Sequence, residues 1–139
     1  RCQPEDIRHE FSAMLFDLPI REQQLKITKT SSGEDIDMRI KTKFIGDRKA
    51  YAILIDEDSY NPRIKKGEVI IADPVARIEP GDEVLVETQE GSYLVRNLIK
   101  LAQKEIKVGN ILNDQIETIP TEKVKHIHAI IAIQRKAEI

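Results

Sequence analysis

Apolar and polar positions alternate with a period of two along most of this chain. The clearest run places Ile36, Met38, Ile40, Thr42 and Phe44 on one side and Asp37, Arg39, Lys41 and Lys43 on the other. Leu25 and Ile27 alternate with Lys26 and Thr28 just before it, and Ser31-Ser32-Gly33 separates the two runs. Strict alternation around a Gly-containing turn predicts a half-buried β-hairpin. Arg39, Lys41 and Lys43 are then the solvated face of an exposed strand, where lysine also discourages edge-to-edge pairing. Further strands are predicted at Tyr51 to Ile55, Val69 to Ala72, Val84 to Thr88, Tyr93 to Leu98, Ile106 to Val108 and Ile127 to Ile133. Pro74, Pro80-Gly81-Asp82 and Glu90-Gly91 mark turns between them.

Only the beginning departs from this rhythm. Ile7, Phe11, Met14 and Leu18 recur at helical spacing after Pro4, and Pro19 ends the run. The pattern predicts a short amphipathic helix and linker over 1–23, then one mainly β domain over 24–139, a curled sheet or partial barrel.

Composition adds limits. A chain of 139 residues fits one domain, and 40% apolar with 33% charged residues is an ordinary soluble composition. No apolar run is long enough to span a bilayer as a helix. The single cysteine, Cys2, excludes an internal disulfide and is consistent with a cytoplasmic location. A net charge of −2 gives no overall basic excess, so a grip on nucleic acid by this piece alone is not expected. The chain begins at Arg1 rather than methionine, and a fragment or processed product is expected.

Six sequence blocks carry more. Ile53-Leu54-Ile55 leads into Asp58-Ser59-Tyr60-Asn61-Pro62, followed by Gly67-Glu68 and the strand Val69 to Ala72. Pro80-Gly81-Asp82 precedes Val84-Leu85-Val86; then come Val95-Arg96-Asn97-Leu98, Ile106 to Asn110, and Ala129-Ile130-Ile131. In this order the blocks resemble the C-terminal domains of LexA, phage CI-type repressors and UmuD, and more distantly signal peptidase I. The resemblance covers about residues 50–135; nothing upstream of about residue 48 contributes to it. It implies a mainly β fold of the LexA C-terminal, signal peptidase-like type.

The resemblance also implies a serine–lysine peptidase site, in which a neutral lysine takes the proton of a serine hydroxyl. Ser59 falls at the nucleophile position, with Asp58, Pro62, Gly67, Gly81 and Asp82 as motif residues. The general-base position holds Arg96, and a guanidinium does not give up its proton in a protein. Tyr60 and Glu57 also depart from the motif. Lys100, four strand residues further on, is about 13 Å along the chain and too distant to substitute. The family's Ala-Gly or Cys-Gly cut site has no counterpart except Ser32-Gly33, in the predicted hairpin turn. For Ser59 a plainer role is a turn serine capping local amides; for Arg96 it is an ion pair with Asp58, Glu57 or another nearby carboxylate.

His126 and His128 share one face of a strand, but without nearby third and fourth ligands they are expected to be surface residues, as is His9. No metal or cofactor is expected. The resemblance implies a regulatory and oligomerisation domain of a phage- or prophage-type repressor, and the departure at Arg96 leads to the expectation that it lacks peptidase activity. Self-association is expected through Ile127, Ala129, Ile131 and Ile133, and DNA contact through a helix-turn-helix outside this chain. A regulatory protein partner fits the same picture. The alternatives are a self-cleaving peptidase whose lysine was changed to Arg96, and a UmuD-like polymerase accessory factor.

Overall fold

A computed structural model describes residues 20–45 and 49–135, with side chains over 24–41 and 49–135. The helix predicted from Pro4 to Leu18, together with Cys2 and His9, lies outside the described residues, as does the Lys43 side chain.

Nine strands form one sheet: β1 (Ile20–Thr30), β2 (Asp35–Ile45), β3 (Tyr51–Leu54), β4 (Val69–Asp73), β5 (Glu83–Thr88), β6 (Tyr93–Leu101), β7 (Glu105–Gly109), β8 (Ile116–Pro120) and β9 (Val124–Gln134). Their order is β2-β1-β3-β4-β9-β5-β6-β7-β8. All neighbours run antiparallel except β1 and β3. The mainly β architecture and the hairpin at its start are as the alternation predicts. Strand β8 was not foreseen: Ile116-Glu117-Thr118 are all exposed, so no apolar face distinguishes this edge strand in the sequence. Strand β6 also runs three residues beyond its predicted end, through Leu101.

The sheet curls until its own turn joins it. The Ser31 N–H donates to the Leu54 carbonyl at 2.8 Å, and the Tyr93 N–H donates to the Ser31 carbonyl at 2.8 Å. One residue after β1 thus links the end of β3 to the start of β6. Only glycine fits beside it. Gly33 has φ +94°, and a Cβ there would stand 2.6 Å from the Gly91 carbonyl oxygen.

On the concave side, Ile53, Ile55, Ile70, Leu85 and Val95 pack together, and Tyr60 and Ile64 close over them from the β3–β4 loop. The convex side carries two smaller clusters, around Ile27, Ile40 and Ile71, and around Val84, Leu98 and Val108. Each fully buried Ile or Leu contributes about 1.5–3 kcal/mol relative to exposure. Strand β4 is buried along its whole length, as expected for a strand covered on both faces.

Candidate functional site

The loop from Ile55 to Gly67 carries the serine motif. It is pinched at its base, where the Gly67 N–H donates to the Ile55 carbonyl at 2.8 Å and the Ile55 N–H to the Glu68 carbonyl at 2.9 Å. Gly67 meets this geometry with φ +93°. Asp58, Ser59, Asn61 and Pro62 stay exposed, while Tyr60 and Ile64 turn inward as apolar anchors. Ser59 does not cap local amides as expected. Its hydroxyl has no hydrogen-bond partner among the described residues, and the nearby Asn61 N–H goes to the Asp58 carbonyl.

Tyr60 connects this loop to the strand bearing Arg96. Its hydroxyl accepts the Val95 N–H at 3.0 Å, at a point where β6 has not yet met β7. The residue after Ser59 therefore touches the residue before Arg96. Tyr60 cannot act as a base, because burial raises its pKa above the ordinary tyrosine value.

Arg96 itself is held on three sides. Its Nε donates to Glu117 Oε1 at 2.7 Å, its Nη1 donates to the Val95 carbonyl at 2.9 Å, and its charge interacts with the Tyr60 hydroxyl. Burial works against the charge, but the Glu117 carboxylate and Tyr60 outweigh it and raise the pKa above the ordinary arginine value. The carboxylate partner is Glu117 on β8 rather than Asp58 or Glu57. The unforeseen edge strand brings it there, opposite Val108 and two strands from Arg96.

Arg96, Asn110, Gln115, Ile116 and Glu117 line an open cavity of about 430 Å³. Two residues from separate sequence blocks, Arg96 and Asn110, thus meet in one depression, and Ser59 is not part of its lining. Lys100 lies further along β6, exposed and opposite Lys107. A second cavity, about 580 Å³, is lined by Pro62, Arg63, Lys65, Glu68 and Arg135. There Glu68 accepts from the Lys65 N–H and from Arg135 Nη1, at 2.6 and 3.0 Å. Burial would raise its pKa, but these partners bring it below the ordinary carboxylate value.

The remaining motif residues hold turns. Gly81, with φ +99°, donates its N–H to the Leu98 carbonyl at 2.7 Å, and Asp82 accepts the Glu79 N–H at 2.9 Å. Ile127, Ala129, Ile131 and Ile133 lie on β9, whose two edges are both occupied, by β4 and β5. Their side chains are buried or half-buried against the core clusters.

Serine hydroxyls meet a carboxylate elsewhere. Asp56, three residues before Ser59, accepts from Ser31 Oγ at 2.7 Å, from the Ser32 N–H at 3.2 Å and from Ser32 Oγ. Burial opposes its charge, yet these bonds bring the Asp56 pKa down to about 2. The small-Gly pair Ser32-Gly33 is thereby fixed in a turn. Its residue types were visible in the sequence; its acceptor, more than twenty residues away, was not.

His126 and His128 stack with ring centroids 5.2 Å apart. His128 Nδ1 meets the Tyr51 hydroxyl at 2.7 Å. Among the described residues no group of three or more His, Cys, Asp or Glu side chains is placed to hold a metal ion. No helix among them is long and apolar enough to cross a membrane.

A search of curated proteins gave no match. The family model described as Peptidase S24-like matches residues 21–133, which takes in the β1–β2 hairpin as well as the blocks from Ile53 onward. That match spans most of the sequence and every one of the nine strands apart from its end residues, and the chain belongs to the Peptidase S24-like family.

Proposed function

We propose that this domain is the C-terminal regulatory and oligomerisation domain of a phage- or prophage-type transcriptional repressor, and that it does not cleave peptides. The observation that carries the reading is the state of Arg96. Peptide hydrolysis by the serine–lysine route needs an amine that is neutral beside the serine. The group at that position here is a permanent cation, fixed by Glu117 and the Val95 carbonyl and raised further in pKa. Ser59 has no described partner that could accept its proton.

A serine without a base can still serve a scaffold that assembles and presents an operator reader. Linking two such readers fixes their spacing and raises affinity through effective concentration. Since both edges of β9 are occupied, self-association here would use side chains on the sheet faces rather than edge pairing, with Ile127 and Ile131 on one face and Ile133 on the other.

The experiment is a fluorophosphonate reaction followed by intact mass, on the wild-type chain and on Ser59→Ala. No adduct at Ser59 is expected; an adduct on the wild type that Ser59→Ala abolishes would overturn the loss of catalysis. Sedimentation across the micromolar range addresses assembly, and a monomer throughout would count against the oligomerisation role.

A further inference from the structure

The β1–β2 hairpin extends beyond the sheet that supports it. Strand β1 pairs with β3 only at Ile27, Lys29 and Thr30, whereas its pairing with β2 continues back to Ile20 opposite Ile45. From Ile20 to Lys26 the molecule is therefore a two-stranded antiparallel ribbon, about 23 Å long at the usual rise per residue.

Charge is distributed unevenly along it. Near the turn lie Glu34, Asp35 and Asp37, but the distal half holds Arg21, Lys26, Arg39, Lys41 and Lys43 against a single acid, Glu22. This occurs in a chain whose net charge is −2. Lys26 stands directly opposite Arg39, and both are exposed. Neither makes an ion pair with a described residue. Like charges facing each other across two strands are destabilising. A facing pair of this kind recurs at Lys100 and Lys107, so what sets the ribbon apart is the clustering of further bases around the pair rather than the pair itself.

At the base of the ribbon the other face is already in use, since Leu25 and Ile40 pack into the cluster around Ile27. On the opposite face stand Gln24, Lys26, Arg39 and Lys41, all exposed, and none of these four is an aromatic or aliphatic anchor of the kind that dominates protein–protein interfaces. Lysine, arginine and glutamine are the groups that contact DNA phosphates. A two-stranded ribbon is also narrow enough for a major groove about 12 Å wide.

We infer that the distal β1–β2 ribbon is a DNA-backbone contact, with Lys26, Arg39 and Lys41 lying against phosphates. The contact is not sequence-specific. It does not require the repressor reading and can fail while that reading stands.

The test is fluorescence anisotropy of a labelled 20-base-pair duplex with the full chain, titrated with salt. Three neutralised phosphates give a slope of log K against log salt of about −2.7. The triple variant Lys26→Glu/Arg39→Glu/Lys41→Glu should abolish binding. The milder Lys26→Gln/Arg39→Gln/Lys41→Gln, which keeps the side chains polar, should weaken it at least tenfold and flatten the slope. The control changes Lys100 and Lys107, an exposed lysine pair facing each other across β6 and β7, to glutamine and should bind as wild type. Absence of wild-type binding at low salt, or equal loss in the control, overturns the inference. So does tighter binding to a polyglutamate peptide than to the duplex, which would assign the ribbon to an acidic protein.

Discussion

Two points along strand β6, its start at Tyr93 and Arg96 three residues on, meet polar partners in opposite ways. At its start, the Ser31 turn, Asp56 and the Tyr93 N–H form a compact joint in which short side chains and backbone groups close the curl. Further along, Arg96 and Glu117 reach toward each other across two strands above an open cavity. The first joint uses hydroxyls that lose little freedom on ordering, and Ser31 is buried. The second uses a long flexible pair, with the Glu117 side chain 48% exposed. The difference teaches that the loop from Ile55 to Gly67 is anchored by the Ser31 joint, while the Arg96–Glu117 ion pair fixes a charge rather than the fold.

The sharpest way to break the contrast is Gly33→Ala. A side chain there would meet the Gly91 carbonyl in a left-handed backbone, and a loss of about 3 kcal/mol in urea unfolding is expected. Asp56→Ala should cost about 2 kcal/mol, because the Ser31 hydroxyl would stay buried without its acceptor. The pH dependence has a definite sign. Asp56 has its pKa lowered from 3.8 to about 2, so its stabilisation is complete above pH 3.8 and is lost as pH falls toward 2. Acid unfolding of the wild type and Asp56→Ala should therefore converge at the acid end of that window. Glu117→Ala should cost only about 0.5 kcal/mol, and a loss as large as that of Asp56→Ala would erase the distinction between the two joints.

The smallest effect concerns His128 on the concave wall. Burial lowers its pKa, and the stacked His126 lowers it further, while Glu87 and Asp73 act in the opposite direction. Because the unfolded chain takes up this proton first, stability should decline as pH drops below 6.5. His126→Gln should raise the His128 titration midpoint in an NMR pH series. An unchanged midpoint would show that the stacked ring has no electrostatic influence.

The fold was legible where one face of a strand is apolar or where a turn demands glycine. Ile36 to Phe44 announced β2 by alternation, and Gly67, Gly81 and Gly91 all adopt positive φ at turns flanked by strands. Strand β8 escaped because Ile116 faces solvent and leaves no apolar stripe to detect. The candidate site was legible as positions but not as contacts. Ser59 and Arg96 stood out by residue type, whereas Glu117 reaches Arg96 from a strand with no local signal, and Tyr60 reaches the Val95 N–H through tertiary packing. Pairings over more than twenty residues depend on how the sheet curls, which no local pattern encodes.

The Tyr60 hydroxyl has a consequence for recognition of extended chains. Along the outer rim of β6 the Tyr93 amide is given to Ser31, the Val95 amide to Tyr60, and Asn97 already stands in the ladder opposite Gly109. The Val95 carbonyl is taken as well, by Arg96. A visiting peptide that docks by β-augmentation needs a free run of such rungs, and this rim has none to offer next to Ser59. Among the described strands, β2 and β8 end the sheet and β1 is open from Ile20 to Lys26 on the side away from β2, so augmentation by another polypeptide is directed to those borders.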